Sequence, residues 1–179
     1  PAIMPRLKLR IAESDLASWA ERYSNPGEAD IEARVAPAAR ARGYLTRDEF
    51  LRLCRWKTPR SQSRCAPNDP DLIHEVTRIA LSAVHEELKI GILLLLRGVS
   101  WPTASVILHF CDRDKYPILD YRALWSLSTS PPTQYTFPFW WAYTGFMRQL
   151  QQRTGLPMRI LDRALWQYSK ERQRKAGGV

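Results

Sequence analysis

Apolar residues recur every three to four positions along most of the chain, which is the period of an α-helix with one buried face. No stretch alternates between apolar and polar residues over the length of a strand, and no Asn-Gly pair marks a tight hairpin. The pattern therefore predicts an all-α fold of helices joined by short loops.

Helix start and stop signals divide this pattern into segments. Polar N-caps, a capping box, an aspartate followed by proline and C-terminal glycines are the signals used. They lie at Ser14, Thr46 with Glu49, Asp69 with Pro70, Asp120, Gly43 and Gly155. The predicted helices cover about 15–24, 28–42, 47–57, 70–84, 86–96, 102–110, 121–127, 139–153 and 158–174, with a loop at 131–138 and a loose tail at 175–179. Segment 86–96 is nearly all apolar and is predicted to be central.

Length and charge restrict the possible partners. The chain has 179 residues, 45% of them hydrophobic, which suits a single domain over 1–179 with a real core. Its 27 Lys and Arg against 18 Asp and Glu give a net charge of +9. This surplus indicates an anionic partner, and nucleic acid, acidic lipid and acidic protein all stay open. A solvated basic surface with no partner is the alternative.

Cysteine and histidine usage argues against a metal centre. Cys54, Cys65 and Cys111 are far apart and form no CxxC pair, which excludes a zinc ribbon or a cysteine-ligated iron–sulfur cluster.

Three free thiols suit a reducing compartment. No signal-peptide core stands near residue 1, and the run ILLLL is too short to span a bilayer. We expect a soluble, cytoplasmic protein with no membrane partner.

The stretch RGVSWPTASVIL, 97–108, has the pattern of a tight turn between two helices. The first amides of the helix that Pro102 opens have no intrahelical partner, and the helix dipole there favours negative charge. Gly98 and the small Ser100 leave room for a ligand to approach the backbone. The turn is therefore a candidate phosphate site, and an ordinary helix–helix turn is the alternative.

Together with YPILDYRALWSL, 116–127, this stretch resembles the helix-hairpin-helix DNA glycosylases, the superfamily of endonuclease III and the alkylpurine and oxoguanine enzymes. The family pattern is Leu-Pro-Gly-Val-Gly-x-Lys-Thr-Ala, then an apolar run and Pro-Val-Asp. The gap of 18 residues from Pro102 to Asp120 is the family's spacing, and the resemblance covers about 86–128. The matching residues are Leu96, Gly98, Val99, Thr103 and Ala104, then Pro117, Ile118 and Asp120.

Four departures from the family pattern affect the expected chemistry. Ser100 replaces the second glycine and Arg97 replaces the proline, so Arg97 could add a phosphate contact. The family's cysteine cluster is missing. Pro102 stands where bifunctional members carry their Schiff-base lysine, and proline has no nucleophile, so a lysine-type lyase step at this position is excluded.

The resemblance implies a compact glycosylase-like fold with its hairpin in 86–128, flanked by 1–85 and 129–174. Its partner would be double-stranded DNA, which makes the protein nucleoid-associated, with no obligate protein partner. Asp120 would be catalytic, stabilising positive charge on the sugar and orienting water; a plain helix N-cap is the alternative. The resemblance implies no cofactor except, as an open question, a monovalent cation at the hairpin. Its DNA contacts would come from Arg97, Gly98, Val99, Ser100, Trp101 and Thr103.

Base extrusion requires a pocket with aromatic walls and a wedge, which is a side chain that fills the gap left in the base stack. The C-terminal half of the chain is rich in aromatic residues. Simple core packing is the alternative for each of them. The basic stretch 51–64 is a second candidate DNA contact, through Lys57 and Arg60, or else a solvated loop. Candidates for the pocket or wedge are Trp56, Tyr116, Tyr121, Trp140 and Trp141.

These features favour a monofunctional DNA glycosylase that leaves an abasic site. The substrate would be a damaged base such as an alkylated purine, or a bulky modified pyrimidine of viral DNA if the enzyme serves defence. A non-catalytic hairpin module that binds DNA is the main alternative. A protein-interaction domain with a basic surface is the third possibility.

Overall fold

The computed structural model describes residues 4–174, and within them every regular element is helical. The all-α prediction is confirmed, while the tail predicted at 175–179 lies outside the described residues. The α-helices in chain order are α1 (Leu16–Glu21), α2 (Glu28–Asp30), α3 (Ala36–Arg42), α4 (Arg47–Lys57), α5 (Ser61–Cys65), α6 (Pro70–Ser82), α7 (Glu86–Gly91), α8 (Trp101–Cys111), α9 (Tyr121–Ser126), α10 (Phe137–Thr154) and α11 (Met158–Arg172). Short 3₁₀ turns lie at Glu13–Asp15 and Ile92–Leu95, and a π-helical turn joins α2 to α3 at Ile31–Val35.

The chain forms two compact units. The middle unit is Asn25–Tyr116, and the terminal unit combines Pro1–Ser24 with Pro117–Val179. The segment 86–128 therefore contributes to both units: its turn belongs to the middle unit and Asp120 to the terminal unit.

Local capping signals set several helix ends as predicted. The Thr46 hydroxyl accepts from the Glu49 amide at 3.3 Å, and the Glu49 carboxylate accepts from the Thr46 amide at 2.9 Å, which completes the capping box. Asp69 Oδ1 accepts from the amide of Asp71 at 2.8 Å at the start of α6. Left-handed glycines end α3 and α10, at Gly43 (φ 86°) and Gly155 (φ 67°).

Other elements differ from the prediction. The cap predicted at Ser14 is wrong, because Ser14 lies inside a 3₁₀ turn and α1 begins at Leu16. The helix predicted over 28–42 contains the π-helical turn. Pro37 has no N–H, and its ring would clash with the carbonyl of Ala33 in a continuous α-helix. α5 lies in a stretch predicted to be a loop, and α10 begins within the predicted loop 131–138.

The buried helix of the middle unit is α8 rather than 86–96. Every residue of α8 from 103 to 111 is buried. In 86–96, Leu88 is 49% exposed and Leu95 is 65% exposed, so the prediction that this segment is fully central is wrong. A buried ion pair holds α7 in place, with Lys89 Nζ donating to Asp112 Oδ2 at 2.6 Å and to the Ala80 carbonyl at 2.8 Å.

The terminal unit packs α1 and α9 against α11. Trp140 and Tyr143 of α10 are fully buried, as are Leu161 and Leu165 of α11. Within residues 4–174, no helix combines the length and the apolar character needed to cross a bilayer.

Candidate functional site

The turn that follows the 3₁₀ segment depends on Gly98 for two reasons. Its φ is +78°, a left-handed conformation that other residues rarely adopt. A Cβ at this position would also lie 2.8 Å from the backbone carbon of Arg64 and from Cys65 Sγ. The 96–100 turn therefore packs directly on α5, the short helix that the sequence pattern did not predict.

Asn68 fixes the same turn from the side. Its Oδ1 accepts from the Arg97 amide at 2.8 Å, while its Nδ2 donates to the carbonyls of Arg97 and Cys65, both at 2.8 Å. The side chain is only 4% exposed. Sequence reasoning missed Asn68 because an asparagine before Asp-Pro looks like an ordinary turn residue.

Several backbone donors of the turn are left without internal partners. Within residues 4–174, the amides of Gly98, Ser100 and Trp101 donate to no protein acceptor, and the Ser100 side chain makes no capping bond to α8. Gly98 and Ser100 are exposed. The N-terminus of α8 thus presents N–H groups and the positive end of the helix dipole, which is the arrangement that binds anions.

The predicted hairpin contacts divide by burial. Three residues of the hairpin are exposed, namely Arg97, Gly98 and Ser100, and Trp101 is half-buried. All four can therefore contact a ligand. Val99 is 9% exposed and Thr103 is 2% exposed. Both side chains therefore belong to the core, so the DNA contacts predicted for these two residues would have to come from their backbone.

Exposed arginines lie at the turn and at the start of α5 in the middle unit. Arg60, Arg64 and Arg97 are exposed, and within residues 4–174 none of them pairs with a carboxylate. Lys57 is half-buried. Arg64 was not among the predicted contacts although its Cβ lies beside Gly98. Its place could not be inferred without knowing that α5 packs on the turn.

Two aromatic candidates of the middle unit have different environments. Trp56 is half-buried, makes an edge-to-face contact with Phe110 at 5.2 Å between ring centroids, and lines a cavity of about 690 Å³. Tyr116 is 3% exposed, and its hydroxyl donates to Glu86 Oε2 at 2.7 Å. The prediction of Tyr116 as a pocket or wedge residue is therefore corrected, since its ring is part of the core.

The cysteines are free thiols and all three are buried. A hydrogen bond between Cys54 and Cys65 raises the pKa of Cys54 and lowers that of Cys65. Burial raises the pKa of Cys111 to about 12. Within residues 4–174, no group of three or more His, Cys, Asp or Glu could hold a metal ion.

Asp120 lies in the terminal unit at the start of α9. Buried Ile118 and Leu119 precede it. Asp120 itself has an extended backbone, and its Oδ1 accepts from the Arg122 amide at 2.8 Å. Its side chain is partly exposed. The N-cap role is thus confirmed, and it engages one of the two carboxylate oxygens in this bond.

Two tyrosines lie near the Asp120 carboxylate. Burial, and then the negative charge of Asp120, raises the pKa of Tyr135 to about 12. Burial also raises the pKa of Tyr143, with smaller effects from Asp162 and Asp120, and its hydroxyl donates to the Ile118 carbonyl at 2.7 Å. Both phenols stay neutral donors at neutral pH. Neither tyrosine is among the predicted site residues, because the sequence contains many aromatic residues and does not indicate which of them lie near Asp120.

The remaining aromatic candidates belong to the terminal unit. Trp140 is fully buried, so its predicted role as a pocket or wedge residue is corrected to core packing. Its neighbour Trp141 is 38% exposed and stacks on Phe137, and Tyr121 is 51% exposed beside the Arg122 guanidinium. Adjacent helical residues point about 100° apart, which explains why one tryptophan is buried and the next is not.

The charge surplus is uneven between the units. The terminal unit carries 13 Lys and Arg against 6 Asp and Glu, whereas the middle unit carries 14 against 12.

No protein family, no curated protein and no solved structure matches this chain.

Proposed function

We propose that this chain is a monofunctional DNA glycosylase of the helix-hairpin-helix type, which extrudes a modified base and hydrolyses its N-glycosidic bond. The observation that carries the proposal is the 96–100 turn, whose amides at Gly98, Ser100 and Trp101 donate to no acceptor within residues 4–174. Double-stranded DNA is the proposed partner, and a monovalent cation at the hairpin stays part of the proposal.

The turn would bind the phosphate backbone. Backbone N–H groups at a helix start suit phosphate oxygens, and exposed Arg64 and Arg97 add positive charge close to them. Such contacts fix the position of the duplex without reading its sequence. The identity of the base would then depend on other residues, of which Tyr121 and Trp141 are the exposed aromatic candidates in the terminal unit.

Asp120 would act on the sugar. Departure of the base leaves positive charge on the deoxyribose, and a carboxylate held in place by the Arg122 amide can stabilise that charge and orient the attacking water. Tyr143 would support this arrangement from the side, because its hydroxyl donates to the carbonyl of Ile118, two residues before Asp120. The product is an intact strand with an abasic site.

The test replaces Asp120 by asparagine. The amide oxygen can still cap α9, while the charge needed in the transition state is lost, so we expect base release to fall by ~10²-fold or more. DNA binding should stay within a few-fold of wild type. Base release is measured as alkali-labile breaks on DNAs that carry alkylated purines or bulky modified pyrimidines, which also separates a repair substrate from a defence substrate.

Asp69→Asn is the matched control. Asp69 is also an N-cap aspartate, at α6, and has no proposed role in the chemistry. Its variant should release bases at the wild-type rate. Turnover by Asp120→Asn close to wild type would remove Asp120 from the mechanism. Binding by wild-type protein without release from any substrate would favour the non-catalytic module.

A further inference from the structure

The middle unit contains a cavity of about 690 Å³, lined by the pocket candidate Trp56, which the proposed chemistry at Asp120 does not use. Its volume lies in the range of about 300–1,000 Å³ typical of small-molecule sites. The N-terminal segment of the unit contributes Asn25 and Asp30 to its wall, and α4 contributes Asp48, Arg52, Arg55 and Trp56. The wall thus combines a large aromatic ring with charged groups of both signs.

Arg52 contacts both carboxylates, and Arg34 also pairs with Asp30, with its Nε 3.6 Å from Asp30 Oδ1. Arg52 Nη1 donates to Asp30 Oδ2 at 2.8 Å, and Arg52 Nε lies 2.9 Å from Asp48 Oδ2. A carboxylate has about four lone-pair positions, so each acid can still accept hydrogen bonds from a ligand. The π-helical turn that begins at Ile31, directly after Asp30, is the kind of local distortion frequently found at functional sites.

Arg55 supplies a positive charge that the protein does not neutralise. It is exposed, lines the cavity one residue before Trp56, and pairs with no carboxylate within residues 4–174. Trp56 is half-buried, and its contact with Phe110 fixes the indole within the wall. An aromatic surface beside an unneutralised guanidinium suits a ligand with a planar ring and an anionic group.

We propose that this cavity binds a nucleotide, with the base against Trp56, its amino edge toward Asp30 and Asp48, and the phosphate at Arg55. Guanine fits best, because its N1–H and N2–H₂ groups offer adjacent donors to a carboxylate. Adenine offers an amino group next to an acceptor, and thymine offers a single N–H between two carbonyls. The nucleotide could be free or part of a DNA strand, and the chemistry of recognition is the same.

The first experiment is calorimetric titration of the full chain with dGMP, dAMP and dTMP. We expect binding of one nucleotide per chain, tightest for dGMP and weakest for dTMP. Arg55→Gln should weaken dGMP binding about tenfold, since a charge-assisted contact to phosphate is lost. Arg78→Gln, an exposed arginine on α6 away from the cavity, should change nothing.

Trp56 provides the second variant pair. Trp56→Leu removes the stacking surface and should weaken dGMP binding about tenfold, whereas Trp56→Phe should retain most of it. Circular dichroism and thermal melting establish that the variants are folded. If Trp56→Leu does not fold, the Arg55→Gln and Arg78→Gln comparison still decides the result.

The two sources of the nucleotide are separated with the oligonucleotides d(TTGTT) and d(TTTTT). Tighter binding of d(TTGTT) than of dGMP, with dGMP competing, identifies a strand nucleotide; tighter binding of dGMP identifies a free one. No dGMP binding together with equal affinities for the two oligonucleotides overturns the proposal. Equal weakening by Arg55→Gln and Arg78→Gln overturns it as well, since the ligand would then be held by general surface charge.

This inference does not rest on base hydrolysis at Asp120. Asp120→Asn should bind dGMP as wild type does, and base release is measured separately on alkylated substrates. Failure of nucleotide binding therefore leaves the glycosylase proposal untouched, and failure of base release leaves the cavity assignment untouched.

Discussion

Single residues impose the sharpest constraints on the 96–100 turn. Gly98 combines a positive φ with a backbone contact to α5, so two independent penalties apply to any side chain there. Gly43 has a similar φ of 86° and yet has no atom within 4 Å of the place where a Cβ would stand. A side chain at Gly43 would therefore cause conformational strain alone, whereas one at Gly98 would cause both strain and a steric clash.

Gly98→Ala should lower the free energy of unfolding by more than ~2 kcal/mol, because left-handed strain of about 1–2 kcal/mol adds to the clash with Arg64 and Cys65. Gly43→Ala should cost about 1 kcal/mol, from strain alone. Urea denaturation followed by circular dichroism measures both. Equal losses would mean that α5 moves away from residue 98 at no cost.

The burial of individual aromatic residues could not be predicted from the sequence. Trp140 and Trp141 are chemically identical and adjacent, and only the packing of α10 buries the first and exposes the second. Tyr116 follows a charged stretch and was a reasonable wedge candidate, but its hydroxyl is engaged by Glu86. The composition indicates that the core contains aromatic residues, but it does not show which aromatic side chains stay exposed.

Elements whose ends are coded locally were predictable. The capping box of Thr46 and Glu49 and the Asp69 cap start α4 and α6 at the predicted residues, since both signals act within one helical turn. By contrast, α5 has only five residues and no side-chain cap. Its stability comes from packing, with buried Cys65 beneath Gly98, and distant contacts of this kind leave no periodic pattern.

The turn as an element gives a prediction about salt. If Arg97 contacts a phosphate, Arg97→Gln should reduce the slope of log K against log salt for duplex DNA by about one unit. Lys57→Ala and Arg60→Ala test the neighbouring basic stretch in the same way. Arg78→Gln serves as the control with an unchanged slope, and an equally unchanged slope for Arg97→Gln would remove its phosphate contact.

At the scale of the whole molecule, the positive charge is concentrated in the terminal unit. That unit has 13 Lys and Arg against 6 acids, although the turn with its anion-binding geometry belongs to the nearly balanced middle unit. Net charge alone would therefore have pointed to the other unit. The candidate phosphate site depends on the orientation of a few amides and arginines, which total charge does not describe.

The proposed reaction also predicts its product. Pro102 offers no amine, so water is the nucleophile, and strand scission should appear only after heat, alkali or a separate endonuclease. Borohydride should trap no covalent protein–DNA adduct. Lys57 and Lys115 are the lysines to examine. An adduct lost in Lys57→Ala or Lys115→Ala would overturn the monofunctional assignment and leave the glycosylase proposal standing.

Asn68 bonds residue 97 through both its amide oxygen and its amide nitrogen, so the turn depends on an intact side-chain amide. Deamidation would convert Nδ2, which donates to two carbonyls, into a carboxylate oxygen facing those same carbonyls. At 4% exposure, water could not shield the new charge. Hydrolysis of this one amide, which consumes a water molecule and releases ammonia, would thus release the turn and leave Arg64 and Arg97 chemically unchanged. The DNA affinity proposed for the turn should then fall before the helices unfold.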